Sequence, residues 1–235
     1  MKFSIEPVAV DSLMIRLFDA IDEGNMPWIL SVVKTLRHTL GDALIDLVPS
    51  YTTVMVQYDL HTMRPDEIAK RIKAALADVQ PTLSASGRQH VIPVWYDIAV
   101  GPELSLVSGR SGLSVAEVIR LHTSKRYLVF ALGFAPGFGF MGLLPEQLRS
   151  PRLATPRKRL PAGSVGIAEL QTSIYPSPSP GGWNILGRTP ERLFGADIPG
   201  FSLFQPGDEV RFEPIDRGEF LKRGGDITPL EPYHD

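Results

Sequence analysis

The residue types able to do chemistry gather between Gly133 and Pro190. Gly137-Phe138-Gly139-Phe140-Met141-Gly142 has the G-x-G-x-x-G spacing of a dinucleotide-binding loop. Such a loop works because its glycines open a helix whose first N–H groups hold pyrophosphate. Here Leu143-Leu144-Pro145 follows, and phenylalanines fill the variable positions, so the pattern reads as a structural loop. Ala162-Gly163-Ser164-Val165-Gly166 has the outline of a nucleophile elbow, which needs a strand before the serine and a helix after it. Its flanks are Pro161 and the strand-like Ile167-Ala168-Glu169, so Ser164 reads as a turn residue or a hydrogen-bond donor to a ligand. The five histidines, His38, His61, His90, His122 and His234, show no metal-ligand spacing, so no bound metal is expected. His122 differs from the others in closing a helix ahead of Thr123 and Ser124. It could serve as a cation at the helix C-terminus or touch a ligand.

Arg149, Arg152, Arg157, Lys158 and Arg159 form a basic run broken by Pro151 and Pro156. Such a run is either a solvated face or an anion site, since arginine forks hold carboxylate or phosphate and this one leads straight into the Pro161–Gly166 turn. No G-x-x-x-x-G-K-[ST] occurs, so any ATP would be met without a P-loop. Gly181-Gly182-Trp183 lets backbone approach closely before an aromatic that suits either the core or the wall of a ligand site.

The elements that must position these residues fall into two halves. Residues 1–132 hold 6 Gly and 7 Pro, whereas residues 133–214 hold 12 of each, so the second region must be built from turns and short strands. In the first half, alternation at Leu13, Ile15 and Leu17 marks a strand, and Trp28, Ile29, Val32, Val33, Leu36 and Leu40 recur at helical spacing. Strand-like runs at 43–48 and 52–58 follow. A helix then opens at Pro65, with Ile68, Ile72, Leu76 and Val79 on one face, and a further strand is expected at Val91–Tyr96. That order is the split βαβ pattern of a ferredoxin-like α/β domain, placed at residues 1–82, with a linker at Pro81–Gly87. Beyond it lies a helix from Ser114 to about Ser124, opened by a capping box with Glu117. Short strands follow at 127–132, 165–170, 183–186 and 210–213, suggesting a barrel or sandwich, and residues from Pro229 onward are expected to fray. The fold class is α+β.

Composition narrows the function. The 235 residues carry 24 Lys and Arg against 26 Asp and Glu, a net charge of −2 that supplies no bulk drive toward nucleic acid or anionic lipid. No stretch approaches the ~18 apolar residues of a membrane span, and the first eighteen residues lack the apolar block of a secretory signal, so a cytoplasmic protein is expected. The absence of cysteine excludes disulfides, thiol catalysis and iron–sulfur centres.

Four blocks go beyond spacing arguments: G-F-x-P-G-F at Gly133–Phe138, P-R-x-x-x-P-A-G-S-V-G at Pro156–Gly166, Q-T-x-I-Y-P at Gln171–Pro176, and G-G-W-x-I-L-G-R-T-P at Gly181–Pro190. With His122-Thr123-Ser124 and Ile92-Pro93-Val94, they resemble the KipI and allophanate-hydrolase-subunit-1 family, which includes the B component of ATP-dependent 5-oxoprolinase. The resemblance implies a cyclophilin-like β-barrel at residues 88–228 behind the N-terminal domain. It implies a polypeptide that is inactive alone and works with two partners, a cyclophilin-like C component and an A component, to open 5-oxoproline to glutamate. ATP, with Mg²⁺, would be the co-substrate. Alternatives within the family are inhibition of a sensor histidine kinase and a role related to urea carboxylase or allophanate hydrolase. The ligand-binding residues it implies are His122, Arg157, Arg159, Ser164, Gln171, Thr172, Trp183 and Arg188. The arginines would hold carboxylate or phosphate, Ser164, Gln171 and Thr172 would donate hydrogen bonds, and Trp183 would form a wall.

Overall fold

The computed structural model describes residues 2–82 and 87–232, which form two compact units. Residues 83–86 of the expected linker lie outside the described residues, as does His234. In the first unit, β1 (Ser4–Ala9), β2 (Ser12–Arg16), α1 (Met26–Leu40), β3 (Leu44–Pro49), β4 (Thr53–Tyr58) and α2 (Pro65–Leu76) follow one another. The strands make an antiparallel sheet in the order β1-β2-β4-β3. Helix α1 packs on β3, β4 and α2. It buries Ile29, Val32, Leu36 and Leu40 while α2 buries Ile68, Ile72 and Leu76, each set at helical spacing. Gly41, at φ +50°, ends α1.

The strand expected at Val91–Tyr96 does not complete this sheet. Residues Gln89–Val94 form β5 of the second unit, and β1 takes the open edge beside β2 instead. Physically the exchange favours a local partner. Only Val10 and Asp11 separate β1 from β2, so that hairpin costs far less loop-closure entropy than a strand returning from beyond α2.

The second unit continues from β5 with α3 (Glu103–Ser111), α4 (Val115–Thr123), β6 (Tyr127–Leu132), β7 (Gly139–Gly142), β8 (Arg157–Leu160), β9 (Ser164–Ala168), β10 (Gln171–Ile174), β11 (Ser179–Gly181), β12 (Asn184–Arg188), β13 (Glu209–Pro214) and α5 (Arg217–Lys222). Seven strands form one sheet in the order β12-β9-β10-β7-β6-β13-β5. Just past β5, Trp95 N–H donates to the Arg188 carbonyl at 2.9 Å and Arg188 N–H returns the bond at 3.0 Å. The two outer strands therefore meet, and the sheet becomes a nearly closed barrel. Its interior is filled by side chains such as Val94, Val129, Met141, Ile167, Leu186 and Phe212. The glycines of the G-x-G-x-x-G run lie in a turn at Gly137 and in strand β7, so they open no helix.

Helix α4 has the expected capping box: Ser114 Oγ accepts from Glu117 N–H, and the Glu117 carboxylate accepts from Ser114 N–H at 2.8 Å. Helices α3 and α5 are not among the elements expected from the sequence. In α3, Gly109 and three serines within nine residues weaken the helical pattern, and burial of Glu103, Leu104 and Val107 supplies what propensity does not.

Barrel closure demands two bare backbones. A Cβ on Gly101 would sit 2.2 Å from the Leu186 carbonyl carbon, and one on Gly187 would sit 2.6 Å from the Trp95 oxygen. Gly101→Ala should therefore lower unfolding free energy by more than ~2 kcal/mol in urea titrations. Gly109→Ala, exposed on α3 with open space around it, should be neutral or stabilise by up to ~1 kcal/mol. Equal effects of the two substitutions would refute the closure argument.

Candidate functional site

The first residue of strand β8 is anchored rather than free to meet a ligand. Arg157 Nη2 donates to Glu103 Oε1 at 2.6 Å, while Glu103 Oε2 accepts from Ile185 N–H at 2.9 Å. Buried Glu103 thus ties α3 to β8 and β12 at once. Losing one member of such a buried pair leaves an uncompensated charge, a loss of about 3–5 kcal/mol. This is a correction to the anion-binding role expected of Arg157: its charge is taken by a buried carboxylate.

Beside β8 lies a cavity of about 930 Å³. One wall is Thr155–Arg159 with Pro161 and Ala162; the other is Asp226 and Thr228–Pro232. Exposed Lys158 and Arg159 are its cations. The C-terminal wall does not fray as expected from its sequence. Leu230 is only 9% exposed and packs in a cluster with Phe138, Leu160, Tyr175 and Trp183. Its N–H donates to the Ala99 carbonyl at 2.8 Å, and Arg157 Nη2 also reaches the Glu231 carbonyl at 3.0 Å.

Pro156 is shared with a second cavity of about 280 Å³, lined by Phe134, Phe138, Phe140, Arg152, Tyr175, Pro180, Gly181 and Trp183. Here the G-F-x-P-G-F, Q-T-x-I-Y-P and G-G-W blocks converge. Phe138 stands edge-on to Tyr175 and Trp183, with ring centroids 5.3 and 5.7 Å apart. Gly181 is required, since a Cβ there would meet the Tyr175 hydroxyl at 2.3 Å. Burial pushes that hydroxyl up to about 12, with the Arg152 charge pulling the other way. Phe134 sits at the rim, 61% exposed and at φ +69°, the centre of a three-residue turn in which Ala135 N–H donates to the Gly133 carbonyl at 2.9 Å. An aromatic pocket with one cation suits a small, flat, acidic molecule.

The expected site residues separate. Trp183 lines the aromatic cavity, and Arg157 and Arg159 line the basic one. Ser164 is buried and gives its hydroxyl to the Pro161 carbonyl at 2.8 Å, holding the turn. Gln171 is half-buried on β10. Arg188 is fully buried behind the basic cavity's C-terminal wall, bonded to the Asp226 and Thr228 carbonyls.

His122 and Thr172 come together, but in the core rather than on a ligand surface. Tyr96 hydroxyl lies 2.7 Å from His122 Nδ1, and His122 Nε2 lies 2.9 Å from Thr172 Oγ1, which donates onward to the Gly166 carbonyl. That chain of donors puts the His122 proton on Nε2. The imidazole also stacks on Phe212 at 4.6 Å, and burial holds its pKa at about 3. Neutral His122 therefore offers the helix dipole no positive charge, and both of its nitrogens are occupied. Sequence reasoning missed Arg152, Phe134, Phe138, Phe140 and Tyr175 as a group. The alternating phenylalanines of Gly133–Phe140 were the available signal, but they carry no hint of the distant Tyr175 and Trp183 that complete the wall.

A family model described as carboxyltransferase domain, subdomain C and D, matches residues 3–204. The chain is 34% identical over 229 residues to the 5-oxoprolinase B subunit of Bacillus subtilis (strain 168), an alignment covering 93% of this chain and 95% of that protein. It is 50% identical over 127 residues to the 5-oxoprolinase B subunit of Escherichia coli O157:H7, covering 54% of this chain and 58% of that one. Among solved structures, TTHA0988 superposes with a TM-score of 0.77 at 34% identity, covering 94% of this chain and 41% of that chain. Among the described residues, no helix is long and apolar enough to cross a membrane.

The buried imidazole makes stability depend on pH. His122 titrates at about 3 when folded and near 6.5 when unfolded, so the unfolded chain binds the extra proton between those values. The stability it contributes is complete above pH ~6.5 and is lost as pH falls, at up to about 1.4 kcal/mol per pH unit. In urea titrations, the advantage of the parent over His122→Gln should shrink at that rate from pH 6.5 to 4. A constant gap across that range would show that His122 does not titrate as placed.

Proposed function

Because this chain belongs to the carboxyltransferase domain, subdomain C and D, family together with the 5-oxoprolinase B subunits, we propose that it is the B subunit of an ATP-dependent 5-oxoprolinase. The observation that carries this reading is the near full-length likeness to the B. subtilis protein. In it, the chain works in the cytoplasm with a cyclophilin-like C component and with an A component, ATP and Mg²⁺ serving the assembled enzyme. The domains are a ferredoxin-like unit at residues 1–82, its fourth strand supplied by β1, and a cyclophilin-like barrel at 88–228.

The chemistry of the substrate fits the aromatic cavity. 5-Oxoproline is a five-membered lactam bearing a carboxylate; the ring would lie against Phe138 and Trp183, and Arg152 would take the carboxylate. Lysine and arginine at positions 158 and 159 are the exposed cations available to phosphate in the neighbouring cavity. Opening an unstrained amide needs activation. Phosphorylation of the lactam oxygen by ATP would let water attack the ring carbon; the C–N bond then breaks, the nitrogen leaving as the protonated amine, and a second water displaces phosphate from the resulting acyl phosphate to give glutamate. This chain supplies binding groups for that reaction but no visible nucleophile–base pair among the described residues: Ser164, the one elbow-like serine, is bonded to a carbonyl.

Co-expression with candidate A and C components should yield a complex that survives size exclusion and releases glutamate from 5-oxoproline only with ATP. Robust turnover by this chain alone, or an inactive assembled complex, would sink the reading.

The cavity assignment has its own readout. Trp183 fluorescence in the complex should respond saturably to 5-oxoproline, and Arg152→Met should weaken that response roughly 10- to 100-fold, the loss of about 1.5–3 kcal/mol expected for one charge-assisted contact. An unchanged midpoint would remove Arg152 from the site.

A further inference from the structure

The Arg188 guanidinium is in an unusual position for a charged group. Its side chain is 1% exposed, yet only Nη1 is satisfied, donating to the Asp226 carbonyl at 2.6 Å and the Thr228 carbonyl at 2.9 Å. Nε and Nη2 are buried without a hydrogen-bond partner. The Asp226 carboxylate is 63% exposed and comes no nearer than 3.8 Å, and it approaches Nη1, the end already occupied. Buried charged donors left without an acceptor are rare and costly.

The two open donors share one edge of the guanidinium. That side-on fork matches the two oxygens of a carboxylate, which it binds bidentately. One guanidinium balances a carboxylate charge for charge, whereas phosphate would bring a second negative charge and a third oxygen that this side chain alone does not meet. Location supports an incoming ligand. The side chain passes the Gly163 turn, where an added Cβ would lie 3.3 Å from Arg188 Cγ, and ends at the Asp226–Thr228 segment. Pro161 and Ala162 before that turn, and Asp226 and Thr228 beyond it, line the cavity of about 930 Å³. The fork therefore lies behind the junction of the two cavity walls.

We propose that Arg188 is the receptor of a second ligand site, which takes the carboxylate of a small organic acid entering from the basic cavity between Ala162 and Thr228. The site is separate from the Arg152 aromatic cavity and does not depend on the 5-oxoprolinase reading. Nη1 stays on the two carbonyls while Nε and Nη2 close on the carboxylate, so ligand and C-terminal wall are held by one side chain.

The test uses the full chain alone at constant ionic strength, with acetate, glutamate and 5-oxoproline as probes and inorganic phosphate as the control, read by calorimetric titration and by ligand-induced shift of the thermal midpoint. At least one carboxylate should bind saturably, and Arg188→Lys, which keeps the charge but loses the fork, should weaken its binding at least tenfold while leaving any phosphate binding to the basic cavity unchanged. No saturable carboxylate binding by the parent, phosphate binding weakened as much as carboxylate binding by Arg188→Lys, or equal carboxylate affinity in folded Arg188→Lys would overturn the proposal. If Arg188→Lys does not fold, Ala162→Trp decides, because it fills the approach from an exposed position: abolished binding supports the site and unchanged binding overturns it. Arg152→Met serves as a further control. Carboxylate binding that is lost in Arg152→Met but kept in Arg188→Lys assigns the ligand to the aromatic cavity and rejects this one.

Discussion

The second unit depends on one reciprocal pair of backbone hydrogen bonds, between Trp95 and Arg188. Without it the seven strands would form an open sheet with two long edges, each a row of unpaired donors and acceptors. With it, both outer strands find a partner. Closure also fixes composition nearby: the chain crosses itself so tightly at Gly101 and Gly187 that no side chain fits at either. Glu103 then reaches inward from the first turn of α3, and its two oxygens lock Arg157 and the Ile185 N–H. A single carboxylate thereby carries the seam's position to strand β8 and so to the wall of the basic cavity.

Closing a small barrel fills it. Side chains from the sheet and from helix α4 pack together in the core, including the polar Tyr96, His122 of α4 and Thr172 of β10, whose groups satisfy one another. Such a network is stable only if every member keeps its partner, and burial of the imidazole within it holds His122 neutral far below its usual range. Two residues with the chemistry of a binding site are thereby committed to the core, and both cavities lie among the outer connections instead.

This is also why the sequence is readable in some places and opaque in others. Features encoded within a turn or two of chain can be read directly. The Ser114–Glu117 capping box, the stripes of α1 and α2, and the breakpoints at Gly and Pro all belong to this group. Strand β5 is legible as a strand but not as a member of its sheet, because its own residues, Val91, Ile92 and Val94, suit either partner; the choice depends on β13, more than a hundred residues later. Helix α3 is hidden because its stability comes from Glu103, Leu104 and Val107 packing on the barrel rather than from propensity. Site residues follow the same rule. Trp183 can be proposed for a wall from its paired glycines, whereas the burial of His122 needs Tyr96 and Thr172, 26 and 50 residues away.

The signature blocks acquire a common physical reason in this architecture. The connections before β8 and between β10 and β12 must leave the barrel, turn, and pack on its outside, so they are rich in proline and glycine where backbone must bend or approach. Phe134, Phe138, Tyr175 and Trp183 meet there because a connection lying on a closed barrel needs an apolar underside of its own. That second small core is incomplete: it leaves the aromatic cavity with Arg152 at its edge, and Leu230 from the C-terminal segment plugs its other side. The same segment walls the basic cavity and takes the one guanidinium nitrogen of Arg188 that has a hydrogen-bond partner. The connections outside the barrel, with the C-terminal segment tied across them, thus form the surface that holds both cavities.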